Sequence, residues 1–276
     1  MYSTLMVHLD LDKDNANLLD ITGDLAERFD ADVVGIVACQ PVSVLVGDGF
    51  ISTDVVEQER AQLTVQIEAA EKAFRAALEH RSRHLKWRSM LTYGPPTDYI
   101  VKQMRSADLL VTGVEYRGSW LDPSWHVDTA DLIMQAGRPV LVVPERTRQL
   151  LARNILVGWK DSRETRRAVS DALPFLMAAE RVVVVEVVAD EAGIPDARAN
   201  ANDVCAWLER HDVLAQPLAS ATGDEYVVPL DEIARKEGAD LIVAGAYGHS
   251  RLHEWVLGGV TRDLLLDSSR CFLLAH

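Results

Sequence analysis

Short apolar runs alternate along the chain with longer segments in which apolar residues recur at helical spacing. In the second half the runs are rich in Val, Ile and Leu, and they occupy residues 154–159, 182–188, 216–220, 241–245 and 271–275. Continuous apolar strands separated by amphipathic helices are typical of β-α-β units, whose strands are covered on both faces. The pattern therefore predicts an α/β protein with a mostly parallel sheet.

Two of the intervening segments carry clear helical signals. Residues 162–178 begin with Ser162, a candidate N-cap, and contain Pro174, which predicts a kink or an early end. Residues 55–83 form one long helical pattern, and the basic residues 80–86 predict a solvated end of that helix. Its apolar stripe predicts core packing rather than a ligand site, and consists of Leu63, Ile67, Ala70, Phe74 and Leu78.

The chain also contains its own copy, which organises the whole sequence. Residues 5–7 match residues 155–157 at an offset of 150, and residues 107–113 match residues 239–245 at an offset of 132. The first copy is therefore longer by 18 residues. We place the extra length in residues 41–53, a mostly apolar loop with glycine and proline, which is predicted to pack on the core or to line a pocket or partner surface.

Length and composition agree with two domains. The chain has 276 residues, of which 48% are apolar and 25% charged, the balance of a globular protein. The repeat predicts two tandem five-stranded, mostly parallel sheets with helices on both faces, in domains 1–148 and 149–276. The two copies end in the predicted strands 139–143 and 271–275.

The charge balance narrows the range of partners. The formal net charge is −14, so the overall field disfavours nucleic acid and anionic membrane surfaces, although oriented backbone N–H groups can still hold a small anion. The three cysteines are far apart, which indicates neither disulfides nor a thiolate zinc site. No leader-like start and no apolar run of about 18 residues occurs, so the sequence predicts a cytoplasmic protein.

Glycines cluster where the fourth predicted strand of the second copy ends. Gly245 and Gly248 are followed, after nine intervening residues, by Gly258 and Gly259, and Thr261 lies in the helical run that begins there. Glycines at the carboxyl end of a parallel strand let the backbone approach a phosphate, and a helix N-terminus stabilises its charge. The pattern favours a phosphate cradle over simple tight turns.

This glycine spacing, the opening segment 155–162 and the five-strand repeat together resemble the universal stress protein family, whose fold is adenine nucleotide alpha hydrolase-like. The resemblance covers nearly the whole chain as two tandem domains. It implies that the second domain binds ATP together with Mg, and that the last strands of the two copies pair to form an intrachain pseudo-dimer. Whether two chains form a homodimer is left open. The implied nucleotide-binding residues are Lys160, Gly245, Gly248, His249, Gly258, Gly259, Val260 and Thr261.

Two of these positions depart from the family pattern. Gly259 stands where the family usually has Ser or Thr, and Lys160 stands where many members have an acidic residue. Thr261 can replace part of the missing hydroxyl contact, and a lysine can reach a phosphate as a point charge. His249 is expected to line the phosphate loop.

The first copy departs in the opposite sense. Asp10 stands at the position of Lys160, so the acid is kept, whereas Tyr116, His126 and Val127 replace Gly248, Gly258 and Gly259. Side chains there obstruct the close backbone approach that glycine permits. The first domain is therefore predicted to be degenerate for nucleotide and to hold a different ligand or none.

The expected function is a cytoplasmic stress-response protein whose second domain binds an adenine nucleotide and acts as a regulatory module toward an unknown protein partner. The alternative is a non-nucleotide small-ligand or protein-interaction module, which Lys160 and Gly259 favour. An enzyme is least supported, because no nucleophile elbow, P-loop or paired carboxylates occur, so at most slow ATP hydrolysis is expected. The pairs His80/His84 and His249/His253 lack a third ligand, and no metal site is expected.

Overall fold

The structure is a computed structural model, and it describes residues 1–41, 53–114, 127–221, 230–246 and 270–276. The contacts divide the chain into two compact units. The first unit comprises Tyr2–Ala136, and the second comprises Gly137–His276 together with Met1. The described residues contain ten strands.

The first unit has a parallel four-stranded sheet with the strand order β3-β2-β1-β4. Its strands are β1 (Thr4–His8), β2 (Asp32–Cys39), β3 (Leu85–Leu91) and β4 (Leu109–Gly113). Its helices are α1 (Ala16–Phe29), α2 (Thr53–Leu78), α3 (Pro96–Gln103) and α4 (Thr129–Gln135). The central strand β1 is paired on both sides, and Leu5, Met6 and Val7 have no exposed surface.

The second unit has the strand order β5-β10-β9-β6-β7-β8, in which every pairing is parallel except that of β5 with β10. Its strands are β5 (Val140–Val143), β6 (Asn154–Trp159), β7 (Arg181–Val188), β8 (Ala215–Ala221), β9 (Leu241–Gly245) and β10 (Cys271–Ala275). Its helices are α5 (Arg163–Asp171), α6 (Leu173–Leu176), α7 (Ile194–Glu209) and α8 (Leu230–Glu237).

The pairing of β5, the last strand of the first repeat, does not follow from the sequence repeat. β5 pairs antiparallel with β10, with Val142 opposite Phe272 and Val140 opposite Leu274. All four of these side chains are fully buried. The contacts therefore group β5 with the second unit, which has six strands, while the first unit keeps four. The predicted domain boundary at 148 and the pseudo-dimer stay predictions.

One helix prediction is confirmed and one needs correction. The segment 162–178 is interrupted near Pro174, as predicted, because α5 ends at Asp171 and Pro174 stands in the first turn of α6. Proline lacks the N–H that would continue the hydrogen bonds of α5, so the break has a local cause. The long helix α2 ends at Leu78 rather than near residue 83, and residues 85 and 86 begin β3.

Apart from these ends, the strand predictions of the second repeat agree with the structure within a residue. The predicted stripe of α2 is core at its C-terminal end, where Phe74 and Leu78 have no exposed surface and Phe74 packs on Trp87. The inserted loop lies, apart from its first and last residues, outside the described residues. No described helix combines the length and the apolar character that a membrane crossing requires.

Candidate functional site

The carboxyl ends of β6 and β9 form the edge at which the second repeat was predicted to bind nucleotide. The two strands pair in parallel, with Val157 opposite Val243 and Gly158 opposite Ala244. Lys160 and Gly245, which follow these pairs, therefore lie at the same edge of the sheet. Lys160 is exposed at this edge. Outside the carboxyl ends of parallel strands is where open α/β sheets bind ligands.

Gly245 has a packing reason to be glycine. A Cβ at this position would lie 2.5 Å from the backbone nitrogen of Thr165 and 2.8 Å from the carbonyl carbon of Glu164. Both are atoms of the first turn of α5, which packs directly on the end of β9. The absence of a side chain at Gly245 thus lets α5 approach the sheet, whatever else binds there.

The N-terminus of α5 is closed by its own side chains. Ser162 caps the helix by accepting a hydrogen bond from the Thr165 backbone N–H at 3.2 Å. Glu164 is buried and ion-paired with Arg163. Burial raises the pKa of Glu164, but hydrogen bonds from Arg163, from its own backbone N–H and from Ser162 outweigh this and lower it. A carboxylate therefore already complements the positive end of α5.

The remaining predicted site residues of the second repeat lie outside the described residues. They are Gly248, His249, Gly258, Gly259, Val260 and Thr261, so only Lys160 and Gly245 can be placed. For His249 and the glycine cradle, the sequence interpretation stays a prediction.

The equivalent edge of the first unit carries a polar pair that the sequence analysis missed. His8 stands at the repeat position of Gly158, and Thr112 at that of Ala244. The His8 ring Nδ1 lies 3.1 Å from the Thr112 hydroxyl, and both side chains are buried. The aligned repeats could have indicated this pair, because two small residues of the second copy align with two polar residues of the first.

The helix that follows this edge in the first unit is capped by protein groups. Asp128, the N-cap of α4, accepts a hydrogen bond from the Ala130 backbone N–H at 2.8 Å. The Thr129 hydroxyl donates to the Gly113 carbonyl at 3.2 Å. Thr129 is the repeat equivalent of Thr261, and in the first unit its hydroxyl is hydrogen-bonded to the protein backbone. The loss of a phosphate site in this unit stays a prediction.

A cavity of about 230 Å³ lies in the first unit at the carboxyl ends of β1 and β2, beneath α2. Its polar lining comes from the end of β1 and the loop after it, from the end of β2 and from α2. The polar side chains that line it are His8, Asp10, Asp12, Cys39, Gln40, Glu59, Gln62 and Gln66. Val127, which replaces a motif glycine, is 3% exposed and lines the same cavity.

The cysteine of this cavity is not activated. Burial and the negative charge of Asp12 raise the pKa of the Cys39 thiol to about 11, which keeps it protonated at neutral pH. Among the described residues, no group of three His, Cys, Asp or Glu side chains is arranged to hold a metal ion. The cavity is therefore defined by hydrogen-bonding and charged groups rather than by a nucleophile.

Three solved structures are similar to the chain. A universal stress protein from Archaeoglobus fulgidus DSM 4304 matches with a TM-score of 0.73 and 14% identity, over 99% of this chain and 95% of that chain. A functionally unknown protein from Pseudomonas aeruginosa PAO1 matches with a TM-score of 0.59 and 14% identity, over 99% and 92%. The cytoplasmic domain of a prokaryotic cation chloride cotransporter matches with 0.51 and 12%, over 99% and 95%.

These likenesses show the fold. The chain has the α/β fold of universal stress proteins, as the sequence predicted, along its whole length. The same fold occurs in the cytoplasmic part of a transporter, so the fold by itself does not define a function. No protein-family model matches the sequence, and no curated protein matches it.

Proposed function

We propose that this chain is a cytoplasmic stress-response protein whose second unit binds an adenine nucleotide, ATP with Mg, and signals to a protein partner. The observation that supports this most directly is the position of Lys160 and Gly245 at one edge of the sheet, at the carboxyl ends of β6 and β9. The predicted glycine cradle begins at Gly245, so it starts where a parallel sheet offers its ligand crevice.

Charge supports an anionic ligand at this edge. Lys160 is an exposed cation beside the strand end, and the nearby Asp161 is ion-paired with Arg166. A lysine at this position attracts the triphosphate rather than the ribose hydroxyls. We therefore expect the second unit to recognise ATP through its phosphates. Lys160 would then take the place of the acidic residue that many members of the resembled family have at this position.

The test is a calorimetric titration of the purified chain with Mg-ATP. We expect binding that Gly248→Val with Gly258→Val abolishes and that Lys160→Met weakens, because these changes fill the cradle or remove the cation. The matched controls are Gly113→Val, where a Cβ meets no atom within 4 Å in the part of the chain that the structure describes, and Lys102→Met on the exposed face of α3. At an ATP concentration of about one hundred times the dissociation constant, the bound nucleotide should add about 2.7 kcal/mol of stability.

Binding that survives the double glycine substitution, or no binding by a folded chain, would contradict nucleotide recognition in the second unit. The second candidate function, a module for a non-nucleotide small ligand or a protein, would then stand. The cavity of the first unit favours that candidate, because it offers a separate pocket of about 230 Å³ that is lined by polar side chains.

A further inference from the structure

Strand β3 forms one edge of the sheet in the first unit, because among the described residues it pairs with β2 alone. The His84 carbonyl accepts a hydrogen bond from the Val33 backbone N–H at 3.0 Å. At the other end of the strand, the Thr92 backbone N–H donates to the Cys39 carbonyl at 2.9 Å. Since backbone groups alternate in direction along a strand, the even-numbered residues of β3 point their backbone groups toward β2. The outward N–H and C=O groups belong to Leu85, Trp87, Ser89 and Leu91.

These outward backbone groups have no hydrogen-bond partner within the part of the chain that the structure describes. Such a row is a template for a further strand, and many proteins block it with proline or with charge. The edge strand of the second unit, β8, contains Pro217, which has no N–H to offer to a further strand. β3 contains no proline, so an extended peptide can pair with its backbone.

The side chains of β3 make this edge positively charged. Lys86 and Arg88 lie on the face of the strand that α3 covers, where the Arg88 guanidinium donates to the Gln103 side-chain oxygen at 2.8 Å. The carboxylates of the adjoining elements are Asp32 in β2 and Asp98 in α3. Neither of them, nor any other acid of the described residues, forms an ion pair with Lys86 or Arg88. The charge of both cations is therefore not compensated by a neighbouring carboxylate.

The cations that precede β3 are compensated, in contrast to those within it. Arg81 forms ion pairs with acids of α1, and Arg83 forms one with the acid that ends that helix. Within the strand, Met90 follows on the same face as Arg88 and is 41% exposed. A matching peptide therefore places acids opposite the two cations of the strand and an apolar residue opposite Met90, at every second position.

A second copy of this chain is a poor occupant of the edge. Two β3 strands that pair antiparallel about Arg88 place that residue opposite itself, and pairing about Trp87 places Lys86 opposite Arg88. Like charges directly opposite each other destabilise a strand pair, whereas opposite charges stabilise it. The edge therefore disfavours its own sequence and favours an acidic one.

We propose that the outer edge of β3 binds an extended acidic segment of a partner protein as an added strand. The backbone of the segment pairs with the outward groups of Trp87 and Ser89, and its carboxylates pair with Lys86 and Arg88. The net charge of −14 acts at long range and is screened beyond about 8 Å at physiological salt, whereas the pairs at the edge are in contact. The proposal gives the protein partner of the proposed function a surface and a chemistry, and in that respect it rests on that function.

Fluorescence anisotropy of a labelled probe peptide tests the intact chain without nucleotide. The probe has about nine residues, with glutamate at every second position and threonine or valine between. Its controls are an isomer of the same composition whose glutamates are adjacent, and a copy whose backbone nitrogens are N-methylated. We expect the probe to bind at least about tenfold more tightly than either control, because the first lacks the alternation and the second cannot donate backbone hydrogen bonds.

Three variants locate the contact. Lys86→Glu should weaken binding of the probe at least about tenfold, because it sets a carboxylate against those of the probe. Lys72→Glu, at an exposed position of α2, changes the net charge equally and should leave binding unchanged. Ser89→Pro removes an outward N–H and leaves the hydrogen bonds to β2 in place, so it should also weaken binding, with its fold checked by circular dichroism.

Hydrogen exchange followed by NMR distinguishes backbone pairing from charge attraction alone. The amide protons of Trp87 and Ser89 point outward and should exchange at least about tenfold more slowly with the probe bound, whereas the amides of β8 should not change. Equal binding of the isomer with adjacent glutamates, unchanged binding by Lys86→Glu, or no protection of these two amides would overturn the proposal. So would the absence of binding at about 1 mM probe. Mg-ATP binding is measured separately, so a chain that binds nucleotide but not the probe refutes this contact alone.

Discussion

Replacing Gly245 by alanine tests the contact that anchors α5 to the sheet. The new Cβ would lie 2.5 Å from the Thr165 backbone nitrogen and 2.7 Å from its hydroxyl oxygen. Both belong to a capped helix turn, so relief requires α5 to move as a body away from β9 rather than one side chain to rotate. Forcing an extra carbon into a packed region typically costs about 1–3 kcal/mol.

The matched variant is Gly113→Ala at the equivalent position of the first repeat. A Cβ there meets no atom of the described residues within 4 Å, so the substitution is expected to act mainly on the unfolded chain, which alanine restricts by about 0.4–1 kcal/mol in favour of folding. The two substitutions are chemically identical and differ only in their surroundings. We expect a difference of about 2 kcal/mol in unfolding free energy between them.

Thermal unfolding followed by circular dichroism and calorimetry measures this difference. At about 2–4 °C per kcal/mol for chains of this size, Gly245→Ala should lower the Tm by about 2–12 °C and Gly113→Ala should leave it unchanged or raise it. Equal Tm values for the two variants would mean that α5 does not seat against the end of β9. Loss of stability in Gly113→Ala alone would refute the assignment of free space to that position.

Three further predictions concern charges and thiols. Burial and the charge of Asp161 raise the pKa of Glu186, whose Oε2 is buried and has no hydrogen-bond partner among the described residues. Protonation of Glu186 therefore stabilises the fold at low pH, and this gain is lost as pH rises through the folded pKa. Glu186→Gln should raise the Tm at neutral pH and have no effect below the usual glutamate range, whereas Glu232→Gln, which removes a carboxylate whose pKa Lys236 lowers, should not raise it. Arg81 forms ion pairs with Asp20, Asp24 and Glu27 along α1. Arg81→Met should therefore lower the free energy of unfolding in urea by about 1–2 kcal/mol, whereas Arg83→Met, at an exposed ion pair, should lower it by less than about 0.5 kcal/mol. Similar losses for both variants would contradict a stabilising role of the Arg81 ion pairs. A pKa of about 11 leaves roughly 0.03% of the Cys39 and Cys205 thiols ionised at about pH 7.5, so Ellman's reagent should react far more slowly with the native chain than with the chain in denaturant, and equal rates would contradict the burial of both thiols.

The sequence predicted the strands of the second repeat because each is a continuous apolar run bounded by polar residues. It located Ser162 as a cap, since a serine before a helical pattern satisfies the first turn whatever the tertiary context. It misplaced the end of α2, because the basic residues after Leu78 continue a helical pattern in composition while their backbone turns into β3. Local patterns decide where elements form more surely than where they end.

For the candidate sites, too, the sequence predicted residue identities but not which distant residues come together. The aligned repeats showed that Asp10 and Lys160 occupy one position with opposite charge. They did not show that Cys39 and Gln66, 27 residues apart, line one cavity, because that proximity arises from strand pairing and from the packing of α2. Nor did they distinguish Gly245, which packs against α5, from Gly113, beside which none of the described residues lies within 4 Å of an added Cβ.

By itself, therefore, the sequence determined the α/β class, the internal repeat and the charge of the residues at each strand end. These properties depend on the period of apolar positions and on residue identity, which are local. The tertiary structure alone decided that β5 pairs antiparallel with β10, that His8 meets Thr112, and that a polar cavity lies beneath α2. Each of these joins residues far apart in the chain, and such contacts are selected by packing of the whole fold rather than by any segment's own preference.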